Sequence, residues 1–125
     1  MKRILMTGLA FAMTSGFAAA ALAGDATAGK AVYTGKGTCW TCHGQAGKGD
    51  GPAGKALNPA PRDFSVGAFK FDANKDGKPG TDADLKLVIT KGAGAFGGNP
   101  AMAPWGHLSG KEIDDVIAFV RTLKK

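Results

Sequence analysis

The sequence predicts an all-α domain. Three segments carry apolar residues at helical spacing, no segment alternates convincingly as a strand, and the stretches between helices are crowded with glycine and proline. The last helix has the strongest signature. Ser109 and Glu112 form a capping box, and Ile113, Val116, Ile117, Val120 and Leu123 make one apolar stripe. Asp114 and Asp115 lie near its N-terminus and Arg121, Lys124 and Lys125 near its C-terminus, which suits the helix dipole. A middle helix is expected over Asp82–Lys91, where Leu85, Val88 and Ile89 share a face. Thr81 and Asp84 make a capping box with a shorter acid, and Gly92 stops the helix. The first helix runs from Asp25, an N-cap, to about Lys36. It carries Ala28, Ala31, Val32 and Tyr33, and Gly35 and Gly37 end it.

Two irregular stretches, residues 44–80 and 92–108, separate these helices. Loops of that length in a small domain are expected to wrap something. Backbone without Cβ atoms packs closely on a flat ligand, which suits the twenty glycines of the chain.

The N-terminus reads as an export signal, residues 1–23, followed by one domain, residues 24–125. Lys2 and Arg3 precede an apolar run from Ile4 to Met13, and Ala21-Leu22-Ala23 is a cleavage motif. The alternative is an uncleaved anchor, because Ile4 to Ala23 carries no charge. After cleavage no stretch is apolar enough to span a membrane. The formal charge falls from +6 to +4 with the loss of Lys2 and Arg3, too small and scattered an excess to argue for nucleic acid. A soluble protein of the periplasm, meeting acidic partners, is expected.

The chain's two cysteines, Cys39 and Cys42, flank Trp40-Thr41, and His43 follows directly. The spacing admits a redox dithiol, half a zinc site, or covalent haem attachment. A thioredoxin-type dithiol needs a βαβ setting, and no strand is evident. A structural zinc needs four ligands, and His107 lies far from His43. Haem explains more: two thiols on one helical turn reach the two vinyl groups of a porphyrin edge, and His43 presents imidazole to the iron from the same face. The sixth ligand follows by elimination. Met1, Met6 and Met13 leave with the signal, so Met102 is the one remaining thioether. It sits in a constrained loop, "GGNPAMAPWGHLSG", with His107 as the competing ligand and gap-filling as the plain alternative.

With "CWTCHG", "GPAGK", a middle helix ending at Gly92, a methionine loop and a C-terminal helix, residues 24–125 resemble a class I c-type cytochrome, a small monohaem bacterial cytochrome c. The resemblance implies a fold of three or more helices and long loops wrapped around one covalent haem, with the first and last helices crossing. It also implies that Pro52 offers its carbonyl to His43 Nδ1–H. Ala103 separates Met102 from Pro104, where many relatives have Met-Pro. Val88 stands where many have a base facing a haem propionate, so Arg62 and Trp105 become the expected propionate partners, with a buried Arg62–Asp63 pair or a plain core tryptophan as alternatives.

Iron saturated by His43 and Met102 has no free position for substrate, and thioether favours the reduced ion. The expected function is therefore a monomeric one-electron carrier between redox partners and not an enzyme. Lys36, Lys48, Lys55, Lys70 and Lys91 are candidates for steering acidic docking faces. The alternatives are a subunit feeding electrons into a larger redox enzyme, or a haem enzyme or sensor with labile Met102. A dithiol oxidoreductase is the remote fourth.

"DANKDG", residues 72–77, matches the opening of a calcium loop, with Asp72, Asn74 and Asp76 as candidate ligands. Ala83 stands where the closing glutamate belongs, and a solvated Asx turn is the plain alternative. "GDATAGKA" mimics a P-loop but lacks the final Ser or Thr and a preceding strand.

Overall fold

In the computed structural model, residues 24–125 are described; the expected signal, residues 1–23, lies outside the described residues. Among the described residues four helices form: α1 (Ala26–Thr34), α2 (Trp40–His43), α3 (Asp82–Lys91) and α4 (Gly110–Thr122). Two 3-10 turns, Phe64–Val66 and Ala93–Phe96, interrupt the loops, and there is no strand among the described residues. The all-α class is as the sequence predicts.

The three long helices begin where their capping residues place them. Asp25 accepts from the N–H groups of Thr27 and Ala28. Thr81 with Asp84, and Ser109 with Glu112, each complete both halves of a capping box. α1 ends slightly before the predicted Lys36, because Gly35 closes the last turn by donating to the Ala31 carbonyl.

α1 and α4 cross, and the crossing depends on glycine. A Cβ on Gly29 would stand 1.8 Å from the Asp115 carbonyl oxygen and 2.9 Å from the Phe119 Cβ, so the two backbones touch there. Asp115 reinforces the contact: its buried carboxylate accepts from the Asp25 N–H at 2.8 Å and from Lys111 at 2.7 Å. Tyr33 meets Phe119 edge-on at 5.0 Å. The predicted stripe of α4 is buried at Ile113, Val116, Ile117 and Val120, and these pack with Val32, Tyr33, Leu85 and Leu108. Leu123 is only half-buried, at the edge of that core.

α3 is fastened to α4 by side chains. Arg121 was expected to serve the helix dipole; its guanidinium also grips the Asp82 carboxylate at 2.8 and 3.0 Å, donates to the Gly80 carbonyl, and lies over the Phe69 ring. The long loop before α3 is also tied down. Phe64 N–H donates to the Gly47 carbonyl, Lys125 N–H to the Ser65 carbonyl, and Gly80 N–H to the Phe71 carbonyl. Asp84, 1% exposed, accepts from the N–H groups of Asn74 and Thr81 and so pins the loop to α3. No helix among the described residues is long and apolar enough to cross a membrane.

Gly29→Ala is expected to force α1 and α4 apart. Overpacking at a backbone contact predicts a loss of about 3 kcal/mol, read as a lower urea midpoint with a largely unchanged slope. An unaltered midpoint would mean that the crossing relaxes freely.

Candidate functional site

α2 is a single turn whose carbonyls are all employed. Gly44, at φ +85°, turns the chain out of the helix, a conformation glycine adopts without penalty. The carbonyls of Trp40, Thr41, Cys42 and His43 accept from the N–H groups of Gly44, Ala53, Gly51 and Gly49. The Tyr33 hydroxyl reaches over from α1 and donates to the Gly44 carbonyl at 2.6 Å, in a buried setting. The turn holding Cys39, Cys42 and His43 is thereby clamped to the helix crossing.

His43 is 9% exposed. Its Nδ1 lies 3.1 Å from the Arg62 carbonyl oxygen, and its ring stacks on Phe64 with centroids 4.4 Å apart and planes 18° apart. A carbonyl can only accept, so Nδ1 carries the proton and Nε2 keeps its lone pair. Burial holds the imidazole pKa below its ordinary range, and the Arg62 carbonyl opposes this only partly. A neutral imidazole with a free Nε2 is what an axial ligand must be.

The acceptor is a correction to the sequence reading, which expected the Pro52 carbonyl. Pro52 is exposed, in a turn that its neighbours Gly51 and Ala53 bind to the carbonyls of Cys42 and Thr41. Those bonds lay the turn along the backbone of α2, and the chain returns to His43 only at Arg62.

Cys39 and Cys42 are half-buried free thiols. Burial, reinforced by the charge of Cys42, pushes the Cys39 thiol up to about 11. A dithiol redox couple needs the opposite shift, toward thiolate at neutral pH.

Cys39, Cys42 and His43 line a cavity of about 460 Å³, within the range of cofactor pockets. Met102, far away in sequence, lines the same cavity, and its loop is held by Met102 N–H to Asn99 and Ala93 N–H to the Met102 carbonyl. Arg62 and Trp105 also line it; Pro52 and His107 do not. Arg62 Nε donates to the Ala68 carbonyl, and the carboxylate of Asp63 turns to Ser65, so the buried Arg62–Asp63 pair does not form. His107 is exposed beside Trp105, with rings 5.1 Å apart. The remaining walls are largely apolar, including Leu85, Val88, Ile89 and Leu108.

A family model described as Cytochrome c matches residues 26–124. The chain belongs to the cytochrome c family. Among solved structures, this cytochrome is similar to a chain of the reducing HAO-like protein complex of Kuenenia stuttgartiensis, with 34% identity and a TM-score of 0.63. The match covers 78% of this cytochrome and 41% of that chain, so the cytochrome spans less than half of its neighbour's length. No curated protein matches the sequence. Membership implies electron transfer through covalently attached haem c. The residues present fit that group. One cavity gathers two thiols spaced as the attachment needs, a neutral imidazole with Nε2 available, a thioether, and apolar walls.

The loop at residues 72–77 closes differently from the calcium pattern. Asp84 takes part where Ala83 cannot, and oxygens of Asp72, Asp76 and Asp84 converge within 4.8 Å. Backbone N–H groups already use those carboxylates: Asp76 and Gly77 donate to Asp72, Lys78 to Asp76, and Asn74 to Asp84. That is the bonding of an Asx turn.

Sequence reasoning placed Tyr33 on the first helix without giving it a role. Tyr33 is the chain's single tyrosine, and it is fully buried. Desolvation raises its pKa well above the ordinary value. An acid with a raised folded pKa adds stability fully present below the unfolded value, about 10, and lost as pH climbs through the folded one. The folded protein is therefore expected to show no phenolate absorbance about one unit above pH 10, whereas denatured protein shows it fully. Tyr33→Phe removes one of the two donors to the Gly44 carbonyl, the Gly47 N–H remaining, and is expected to cost about 1 kcal/mol in urea unfolding. Phenolate appearing in the native state near pH 10 would show that the hydroxyl is not sealed in.

Proposed function

We propose that this protein is an exported one-electron carrier with one haem c, joined through Cys39 and Cys42 and ligated axially by His43 and Met102. Export rests on the pattern of residues 1–23, which makes residues 24–125 the mature monohaem domain and the periplasm its place of work. The observation that carries the proposal is the meeting of His43 and Met102 at one cavity. His43 is fixed as the Nδ1–H tautomer, Met102 is the only methionine of residues 24–125, and the rival His107 stays outside.

Iron bound in this way passes a single electron with its coordination full and performs no bond chemistry on a substrate. The chain's own residues do the rest. Arg62 holds the proton on His43 Nδ1, the apolar walls keep water from the cavity, and Tyr33 and Gly44 keep the attachment turn in place. Arg62 and Trp105, lining the cavity with polar groups, remain the proposed propionate partners. Of the steering lysines, Lys48, Lys55 and Lys91 are exposed, Lys36 is paired with Glu112 at 3.0 Å, and Lys70 borders the cavity beside Phe71. Docking to acidic redox partners through these charges would weaken with salt. The candidate calcium ligands Asp72, Asn74 and Asp76 do not line the cavity and form no part of this function.

The likeness to a chain of a HAO-like complex supports a second reading, in which this cytochrome feeds electrons into a larger redox enzyme. Native mass after gentle extraction separates the two: a free shuttle runs as a monomer, and a subunit runs with its partner.

The ligand set is tested on the purified protein. Denatured protein should retain its pigment in acidified organic solvent, and the ferrous form should not take up carbon monoxide. Met102→Ala should abolish the ferric thioether charge-transfer band, lower the reduction potential and open the iron to carbon monoxide. A Met102→Ala spectrum identical to that of the starting protein would remove Met102 from the iron.

A further inference from the structure

One hydrogen bond does not orient an imidazole. The Nδ1–H bond to the Arg62 carbonyl fixes a direction but leaves the ring plane free to swing about it. In this structure the second constraint comes from Phe64, whose ring lies parallel to that of His43 at 4.4 Å. We infer that Phe64 is a positioning residue for His43: with the Arg62 carbonyl two residues earlier, its ring sets the plane of the imidazole. The inference rests on the proposed role of His43 as an axial ligand.

The short segment Arg62–Ser65 is built to keep that ring still. Asp63 caps its 3-10 turn by accepting from both the N–H and the hydroxyl of Ser65. Phe64 N–H donates to Gly47 at 2.6 Å, four residues beyond His43, so the segment is tied to the loop leaving the attachment turn. Gly47, at φ +74°, lies close against Leu123 and Phe64: a Cβ would stand 2.7 Å from the first and 3.2 Å from the second. The carbonyl of Ser65 accepts from Lys125 N–H at 3.0 Å, which ties the same segment to the end of α4. Phe69 lies 5.8 Å from Phe64 and is itself covered by the Arg121 guanidinium. A run of contacts thus leads from α4 through Phe69 and Phe64 to the imidazole, and each end of the segment is hydrogen-bonded.

A ring that merely filled the core could be exchanged for any apolar side chain of similar bulk. A positioning ring cannot, because a parallel aromatic face is what holds the imidazole plane. The test uses the intact haem-loaded protein and three variants: Phe64→Leu, Phe64→Tyr and Phe69→Leu. The readouts are the pattern of haem-methyl resonances in the ferric protein, which follows the ligand plane, and exchange of the His43 Nδ1–H proton. Phe64→Leu is expected to reorder the methyl resonances and to speed Nδ1–H exchange, because the ligand's outer-shell support is lost. Phe64→Tyr, which keeps the stacked face, and Phe69→Leu, which keeps Phe64, are expected to retain the starting pattern.

An unchanged pattern in Phe64→Leu would overturn the inference, as would an equal change in Phe69→Leu. If Phe64→Leu does not accumulate, Phe64→Tyr still decides: a reordered pattern there would overturn it. Pigment released from the denatured starting protein would overturn both this inference and the proposed function. Pigment retained with unchanged resonances would overturn this inference alone.

Discussion

The hydrogen bond from His43 Nδ1 to the Arg62 carbonyl is the contact on which most of the structure converges. It decides the tautomer, and the tautomer leaves Nε2 with its lone pair. For the bond to form, a carbonyl nineteen residues downstream must return to the attachment turn. That return explains why the long loop is tied at so many points. Gly47 fastens Phe64, Lys125 fastens Ser65, and Asp84 fastens Asn74. What reads as irregular sequence is a strap whose middle presents one carbonyl and one aromatic face.

The helices supply the frame against which that strap pulls. α1 and α4 touch at Gly29, and Tyr33, four residues later, carries the rigidity of the crossing into the attachment turn through Gly44. Among the described residues the apolar core cluster has eight buried members, drawn from α1, α3, α4 and Leu108. Many other apolar side chains, among them Val88, Ile89 and Phe71, are only half-buried and line the cavity instead. Apolar surface left on a cavity wall is stabilised when a flat apolar group covers it. The helical frame and the cofactor therefore divide the burial between them.

The helices and the thiol–imidazole turn were legible in the sequence because their signals are local. Capping residues at Asp25, Thr81 and Ser109, the stripe from Ile113 to Val120, and Cys39–Cys42–His43 each lie within a few residues of what they determine. Met102, singled out in the sequence by elimination, lines the cavity. The partner of His43 was not legible, and the expectation of Pro52 failed because hydrogen bonding across a loop has no periodicity to read. The two 3-10 turns are too short to leave an apolar pattern, though Asp63 ahead of Phe64-Ser65 is a capping signal that sequence alone underweights. The role of Tyr33 was likewise hidden. A tyrosine among helical apolar positions shows its packing face, and the carbonyl its hydroxyl finds belongs to another element.

Trp105 borders the cavity, and Trp40, between the two cysteines, packs against the core beneath it. The chain has no other indole. Both sit where a porphyrin would drain their excited states by energy transfer, so the folded, loaded protein should be nearly dark in tryptophan fluorescence. Light emission then becomes an intrinsic gauge of how far the strap and the crossing helices have come apart, with no added label.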